Sequence, residues 1–446
     1  MTAREAAARS VIRAFKDGRF ANLELDGTLA KTAFSDADKR FYTRLFYGTV
    51  ERKITLDHLL SRLSETPVAG LDGEVLAVLE TGLYQLFYMD KVPASAACNE
   101  TVTVAKKLCR KRSAAGFVNA VMREAVRRKD ALTGEIAAAK GLAGVSLRTS
   151  LPVWLLELWE KDYGCAEDIA NGFLRRGDAF SVHVNTMKTS ADELLAAFGE
   201  ASGAVKVSES VIAFGGSVNV RDLPGYGEGL FYVQDESGAL AASLISPESV
   251  GSGEPFIIDT CACPGGKTFA MAIAFGDGAK ILSLDLHENR LPLIRKGAAR
   301  LGLHNVETAA CDARKPLAAY FGLADAVLCD VPCSGLGIVA KKPDIRFKTP
   351  ADIERLPAVQ RAILDASSAY VKDGGLLVYA TCTLRREEND GVVDGFLAAH
   401  PAFTSEALPF AGGESGKKTF LPQVDGTDGF FCAKLRKKAS GKGEKA

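Results

Sequence analysis

Apolar positions recur at helical spacing through the opening part of the chain. Ala3 to Phe15 reads as a short amphipathic helix. Ser35 or Asp36 can cap a second one, which carries Phe41, Leu45, Phe46 and Val50 on one face. Val75, Leu76, Leu79, Leu83, Leu86 and Phe87 make another apolar stripe, and Ala97 to Cys109 and Phe117 to Val126 make two more. Pro93 and the glycines fall between these segments, where helix breakers belong. The pattern predicts an all-helical bundle of about five to seven helices over residues 1–130.

Residues 131–150 are small and polar, and are expected to form a linker. Pro152 then opens a helix through Trp159. Phe180 to Met187 alternates as a strand, Ser190 caps a helix through Phe198, and Val211 to Phe214 and Leu230 to Gln234 read as further strands. Residues 131–235 are thus a linker plus a small α/β segment. From residue 236 the pattern becomes strand, glycine turn, helix, repeated. The runs 256–259, 280–285, 326–330 and 375–380 are apolar throughout, as strands of a parallel sheet buried on both faces must be. A doubly wound, Rossmann-like α/β domain over 236–437 follows. Residues 438–446 are Lys- and Gly-rich and read as a disordered basic tail.

Composition adds little to the fold. The chain has 446 residues, 47% hydrophobic and 25% charged, an ordinary soluble composition with room for two or three domains at about 100–200 residues each. Net charge is zero, which excludes a global field drawing nucleic acid. A local field exists instead: between Thr103 and Lys129 stand Lys106, Lys107, Arg110, Lys111, Arg112, Arg123, Arg127, Arg128 and Lys129 against Glu124 alone. Such a run is either a solvated helix face or a phosphate-binding surface. No apolar run nears the ~18 residues that span a bilayer, and Met1 to Phe15 has no apolar signal core. A cytoplasmic, non-membrane protein with reduced thiols is expected. Ten cysteines are present, but none form a Cys-x-x-Cys pair, so no metal is expected. Nothing in the chain demands a dimer, so a monomer is expected.

Three motifs carry chemistry. The first is Asp259-Thr-Cys261-Ala262-Cys263-Pro264-Gly265-Gly266-Lys267-Thr268, a turn between a strand and a helix. Its glycines let backbone approach a ligand, and the helix start offers free N–H groups. It lacks the first glycine of a Walker loop and the spacing of a dinucleotide fingerprint. Asp285 ends the next strand, where a carboxylate can take ribose hydroxyls, and Asp312 follows the third element, where it can sit beside an adenine. A loop, a ribose acid and an adenine acid without a phosphate clamp fit S-adenosylmethionine. The other two motifs, Asp330-Val-Pro-Cys333-Ser-Gly-Leu-Gly337 and Ala380-Thr-Cys382-Thr383, place thiols just past strands at the carboxyl edge of the sheet. A thiolate that adds to carbon 6 of cytosine makes carbon 5 enamine-like and able to accept a methyl group. Loss of the carbon 5 proton then expels the thiolate. Asp330 is placed to hydrogen-bond the ring edge at N3. The remaining cysteines read as core or loop packing.

These residues resemble the RNA cytosine-5 methyltransferases, and within them the bacterial 16S rRNA type with an N-terminal domain like the antitermination factor NusB. Asp38-Lys-Arg-Phe and Phe117-Val-Asn-Ala-Val-Met-Arg123 look like the NusB-like part. His183 to Lys188 and Val233-Gln-Asp-Glu-Ser look like the lead into the catalytic domain. The resemblance implies Cys382 as nucleophile and Cys333 as the thiol that assists product release. It implies a cofactor site of Cys261 to Lys267, Asp285, Arg290, Asp312 and Asp330, with Lys267 also reaching the base. It turns the basic stretch, chiefly Lys106, Lys107, Arg110, Lys111 and Arg112, toward an RNA-binding role, with Arg346 as a further contact. The implied partner is protein-free or partly assembled 16S rRNA, because such enzymes act on single-stranded or flipped-out bases. Three positions depart from the pattern: Cys263 stands for a usual Ala, His183 for a common Arg, and Phe347 for a frequent Trp. A tRNA cytosine-5 methyltransferase and a non-catalytic RNA-binding or antitermination factor remain the alternatives. Paired thiols beside an intact Pro-Gly-Gly-Lys loop weigh against the second.

Overall fold

The structure, a computed structural model, describes residues 1–18, 20–176, 180–215, 218–251, 253–410 and 415–439. The expected basic tail lies almost wholly outside the described residues. The chain divides into two compact units, residues 1–174 with 339–348, and residues 175–338 with 349–446.

The first unit is helical. Among the described residues it holds ten α-helices, at Ala3–Lys16, Ala21–Lys31, Asp36–Glu51, Lys53–Leu63, Gly73–Tyr88, Ala94–Leu108, Ala114–Ala138, Gly141–Thr149, Val153–Tyr163 and Ala166–Arg176, the last running just past the unit's edge. The apolar stripes of the sequence meet in one core: Tyr42, Leu45 and Phe46 against Val78, Leu79 and Leu83, with Val118, Val121 and Met122 beside them. Ala6, Ala7 and Ala8 are fully buried, so the first helix lies close against its neighbours. Ser35 caps the third helix as expected, its Oγ accepting from Asp38 N at 3.2 Å.

The expected linker at 131–150 is not there. The long helix continues to Ala138, and Gly141–Thr149 is a further helix. Leu132 and Val145 are buried, and Arg52 Nη1 donates to Arg148 O at 2.9 Å. Alanine explains the misreading, since it is small enough to look like linker and is the strongest helix former. The segment 339–348 also belongs to this unit. Pro343–Phe347 forms a 3₁₀ turn in which Pro343, Ile345 and Arg346 are buried, and Phe347 meets Phe15 edge-on at 4.9 Å.

The second unit has two sheets. β1 (Phe180–Val184), β2 (Ala204–Ser208), β3 (Val211–Phe214) and β4 (Phe231–Val233) form a small antiparallel sheet in the order β2-β3-β1-β4. Helix Ala191–Phe198 covers it, entered through a capping box of Ser190 and Glu193. Val182, Val184, Leu194, Ile212, Phe214 and Phe231 fill the space between.

The larger sheet comprises β5 (Phe256–Asp259), β6 (Lys280–Asp285), β7 (Val306–Ala310), β8 (Ala324–Asp330), β9 (Val371–Thr381), β10 (Phe403–Ser405), β11 (Lys417–Phe420) and β12 (Phe430–Lys437), in the order β10-β12-β9-β8-β5-β6-β7 with β11 on β12. β5 to β9 are parallel. Successive strand residues enter opposite cores, Ile257 and Leu328 on one face, Ile258 and Val327 on the other. This is why these strands read as unbroken apolar runs. The chain winds from β5 through β6 to β7, then returns to the other side of β5 with β8 and β9. The carboxyl ends of β5 and β8 therefore flank a switch point, where ligands bind in such sheets.

Three C-terminal strands are absent from the sequence reading. β12 runs antiparallel to β9 and ends at Lys437, the last residue of the expected α/β domain. Its charged end is held down: Arg436 donates to Gly374 O at 3.2 Å and pairs with Glu406 at 2.5 Å, and Lys434 pairs with Glu406 at 2.8 Å. Arg436 first and Lys434 second pull the Glu406 carboxyl down to about 2, discounting burial that would raise it.

Candidate active site

Three strand ends build the site. β5 ends at Asp259, β8 at Asp330 and β9 at Thr381, and each is followed at once by one of the three motifs. After Asp259 the chain turns through Cys261 to Gly265 and enters helix Gly266–Ala274. Gly265 has φ +113°, and a Cβ there would lie 2.5 Å from the Phe269 ring, so only glycine fits the turn. Thr268, in the first turn of the helix, donates to Asp259 Oδ2 at 2.7 Å and also contacts Ser283 Oγ at 2.9 Å. Asp259 is 1% exposed and its Oδ1 has no hydrogen-bond partner. Burial pushes its carboxyl up to about 7, partly opposed by Thr268.

Lys267 reaches the next strand end, its Nζ 2.5 Å from Asp330 Oδ2. Burial alone would lower the Lys267 pKa, but Asp330, and behind it Asp259 and Cys382, raise it, so the ammonium is kept. Asp285 ends β6 with Oδ1 accepting from His287 N at 2.9 Å and Oδ2 3.6 Å from Arg290 Nη1. Arg290 Nη2 also reaches Cys263 O at 3.5 Å, tying the glycine loop to the acid at the end of β6. Burial first, and the Asp285 charge second, push the Cys263 thiol up to about 12, so it is a neutral lining group. Asp312 is gripped by its neighbour. Arg314 Nε donates to Oδ1 at 2.9 Å and Nη2 to Oδ2 at 2.8 Å, which holds the carboxyl down near about 2.

The two thiols meet. Cys333 Sγ and Cys382 Sγ are 3.2 Å apart and not bonded to each other as a disulfide. The Cys333 thiol is raised well above its ordinary value. Its contact with Cys382 is the first cause, burial the second, and the charges of Glu388 and Asp330 add to both. Cys333 is therefore a proton-bearing thiol.

The loops behind the thiols are pinned by residues that the motifs did not reveal. Gly337 N donates to Cys382 O at 3.0 Å and Gly429 N to Gly337 O at 2.8 Å. Ser334 Oγ and Thr383 Oγ1 lie 2.7 Å apart. Glu388 and Asn389 are wholly buried beneath. In the sequence they sit in Arg385-Arg-Glu-Glu-Asn-Asp390, which looks like any solvated turn. Only the apolar residues on either side, Leu384 and Val392, hint that part of the turn faces inward.

The structure thus gathers Cys382, Cys333, Asp330, Lys267 and the Cys261–Gly266 loop at one sheet edge, with Asp285 and Arg290 adjoining. Arg346 departs from its expected RNA-binding role. It is 3% exposed, its Nη2 is 3.6 Å from Glu51 and its Nη1 donates to Thr149 O at 3.4 Å. A guanidinium used inside a core has no face left for phosphate. Lys106, Lys107, Arg110, Lys111 and Arg112 are all exposed in the helical unit. Lys111 is 3.1 Å from Asp72 and Lys107 is 3.8 Å from Glu5, so two of the five are partly neutralised. Among the described residues there is no cluster suited to a metal ion, and no helix long and apolar enough to cross a membrane.

Comparison with known proteins matches residues 250–436 to the family "16S rRNA methyltransferase RsmB/F" and residues 1–127 to the NusB family. The chain is 34% identical to the probable ribosomal RNA small subunit methyltransferase B of Synechocystis sp., over 94% of this chain and 95% of that protein. It is 33% identical to the probable methyltransferase B of Bacillus subtilis, over 98% of each chain. It is 34% identical to the ribosomal RNA small subunit methyltransferase B of Pseudomonas putida, over 99% of this chain and 100% of that one. In fold it is similar to the crystal structure of PH0851, with TM-score 0.79, 23% identity, and 97% and 99% of the two chains covered. It is also similar to NSun6 from Pyrococcus horikoshii solved with SFG, with TM-score 0.56, 22% identity, and 66% and 100% covered.

Proposed function

The chain belongs to the ribosomal RNA small subunit methyltransferase B family, and from that premise we propose that it methylates carbon 5 of a cytosine in 16S rRNA, with Cys382 as nucleophile and Cys333 as the release thiol. The observation that carries the reading is the pair of thiols 3.2 Å apart at the ends of β8 and β9, beside the Lys267–Asp330 pair. A binding-only protein has no use for that arrangement.

The residues fit S-adenosylmethionine, which supplies an electrophilic methyl group when bound. The glycine loop and the first N–H groups of helix Gly266–Ala274 border the switch point. Asp285 keeps lone pairs on both oxygens for ribose hydroxyls, and Asp259 Oδ1 is a buried acceptor still without a donor. Lys267 is held by Asp330, so no free phosphate clamp competes. Asp312 fits less well, because an adenine contact has to share its oxygens with Arg314.

Cys382 forms the bond to carbon 6, which makes carbon 5 the nucleophile. Lys267 and Asp330 present a proton-bearing pair to the N3 edge and stabilise the charge that the addition places on the ring. After transfer, carbon 5 loses its proton, the S–C6 bond breaks and Cys382 leaves as thiolate. Cys333, kept protonated at 3.2 Å, assists that departure. Two thiols this close that are not joined as a disulfide fit a reducing compartment, in keeping with the cytoplasm. The exposed lysines and arginines of 106–112 supply the RNA surface, and the substrate is 16S rRNA before assembly hides its bases.

The test is methyl transfer from labelled S-adenosylmethionine to protein-free 16S rRNA, 23S rRNA and tRNA, followed by mapping of 5-methylcytosine. Label at one 16S site supports the reading. Label in tRNA moves the substrate, and no label in any RNA despite cofactor binding overturns it. Cys382→Ala should abolish transfer, and Cys333→Ala should accumulate an RNA–protein adduct.

A further inference from the structure

The two thiols sit in separate loops, yet one dipeptide touches the flanks of both. Glu388 has a fully buried side chain. Its Oε2 accepts from Ser334 N at 2.9 Å and from Gln360 Nε2 at 2.8 Å. The same Gln360 nitrogen donates to Pro332 O at 3.0 Å. Pro332 and Ser334 are the neighbours of Cys333, so the Glu388–Gln360 pair grips the Cys333 peptide from both sides.

Asn389 does the equivalent for the other thiol. Its Oδ1 accepts from Thr381 Oγ1 at 2.6 Å and its Nδ2 donates to Thr383 O at 2.9 Å. Thr381 and Thr383 are the neighbours of Cys382. The dipeptide is itself fixed from below, because the Tyr379 hydroxyl donates to Glu388 O at 2.6 Å.

The arrangement is costly for folding alone. A buried carboxylate loses several kcal/mol of hydration. Glu388 recovers only part of this, since its Oε1 makes no hydrogen bond and the guanidinium of Arg385 stands 4.0 Å away at Nη1. Arg385 Nη1 is already committed to Ile353 O at 2.7 Å. An apolar residue of similar size would fill the space with less penalty. The geometry and the charge both act on Cys333: the carboxylate fixes its peptide and its negative charge opposes a second thiolate beside the first. Asn389 carries no charge, and so holds Cys382 without discouraging its ionisation.

We propose that Glu388 and Asn389 are positioning residues that divide the labour between the thiols, Glu388 fixing Cys333 for release and Asn389 fixing Cys382 for attack. The inference rests on the roles given to the two cysteines above, and adds the device that keeps two chemically identical groups from exchanging them.

Two measurements on the full-length protein test it. The first follows single-turnover methyl transfer, steady-state turnover and denaturant-stable RNA adduct for Glu388→Ala and Asn389→Ala. Glu388→Ala should form adduct at near the normal rate but turn over at least about tenfold more slowly, so adduct accumulates. Asn389→Ala should slow adduct formation by about 100-fold, the usual effect of a misplacement near 1 Å, with no accumulation. Glu388→Gln retains an acceptor for both donors and should restore turnover. Equal losses in both steps for both variants, or no rescue by Glu388→Gln, would overturn the division of labour. The second measurement maps alkylation by limiting iodoacetamide. Glu388→Ala removes the negative charge that opposes a Cys333 thiolate, so labelling of Cys333 should rise about tenfold while Cys382 stays unchanged. Unchanged Cys333 labelling would sink the proposal whatever the kinetics. If Cys333→Ala itself fails to accumulate adduct, the release role falls, while the alkylation map still decides whether Glu388 governs Cys333. Should Glu388→Ala not fold, as melting would reveal, Gln360→Ala removes the Pro332 tether and one of the two donors to Glu388 Oε2, and should slow turnover in the same sense.

Discussion

Gly337 is the tightest point in the scaffold behind the thiols, and replacing it with alanine is a direct test of how rigidly the site must be held. A Cβ on Gly337 would lie 2.0 Å from Gly429 O, 2.5 Å from Gly429 C and 2.9 Å from Cys382 O. All three are backbone atoms, so no side chain can rotate away. Ordinary contact needs roughly 3.2 Å or more, so the Gly337 and Gly429 backbone segments must part by about 1 Å. That movement weakens two hydrogen bonds, Gly337 N to Cys382 O and Gly429 N to Gly337 O, each worth about 1 kcal/mol. Overpacking of this kind costs about 1–3 kcal/mol, so a loss near 2 kcal/mol is expected, or a melting temperature lower by about 4–8 °C. The effect on rate should be larger. Displacing the Cys382 carbonyl by about 1 Å moves the Cys382 thiol, the proposed nucleophile, by a comparable distance and should cost about 100-fold in single-turnover transfer. Affinity for S-adenosylmethionine, measured by calorimetry, should change little, because the glycine loop after β5 is on a different strand end. A Gly337→Ala protein that transfers methyl groups at the normal rate would refute the claim that the backbone contact under Cys382 sets its position. A large loss of cofactor affinity with unchanged single-turnover rate would refute it equally.

Other consequences are open to measurement. Burial raises the Asp259 carboxyl from its ordinary value of 3.8 to about 7, so its contribution to stability is full below about pH 4 and is lost as pH rises through about 7. Asp259→Asn should flatten the fall in unfolding free energy across that window by roughly 4 kcal/mol at most; an unchanged slope would mean that the carboxyl is not ionising there. Replacing Lys106, Lys107, Lys111 and Arg112 with alanine should weaken RNA binding and reduce the slope of log affinity against log salt by up to about 3. An unaltered slope would return this stretch to an ordinary solvated face. Arg346→Ala should leave that slope alone and destabilise the protein by about 2 kcal/mol, because it empties a buried site in the helical unit and leaves Glu51 with Arg52 alone; a changed salt slope would restore it to the RNA surface.

How much of this was legible in the chain depended on which physical signal each part carries. The parallel strands β5, β6, β8 and β9 were readable because both faces are buried, so β5 and β6 stand as apolar runs with their bounds intact, whereas β7, half-exposed at the edge, carries no such run. The two thiols and the glycine loop were readable because the chemistry proposed for them fixes residue type and spacing. The helical stretch from 131 to 149 was not, since alanine carries no contrast between a packed helix and a small-residue linker. β12 was hidden by its own charges: Lys434, Arg436 and Lys437 crowd the end of a strand whose partners, Glu406 and the β9 backbone, lie far away in sequence. Arg346 reads as an RNA contact only through the family resemblance, and nothing local in the chain marks it as buried. Its acid, Glu51, stands in a helix near the other end of the chain. Glu388 and Asn389 were invisible for the same reason, because burial of a polar residue is a property of long-range packing and not of local pattern.

The membership of 339–348 in the helical unit has a consequence for how the protein is made. A ribosome that has synthesised Leu174 has delivered ten helices but not Arg346 and Phe347, so Glu51 still lacks one guanidinium and the Phe15 ring its edge-on neighbour. Those arrive only after β5 to β8 and the Cys333 loop have been translated. Domains usually complete themselves in the order they emerge. Here the first to emerge is finished by a piece borrowed from the second, so an amino-terminal fragment is an incomplete fold, and the chain cannot be cut at a single bond to yield two whole modules.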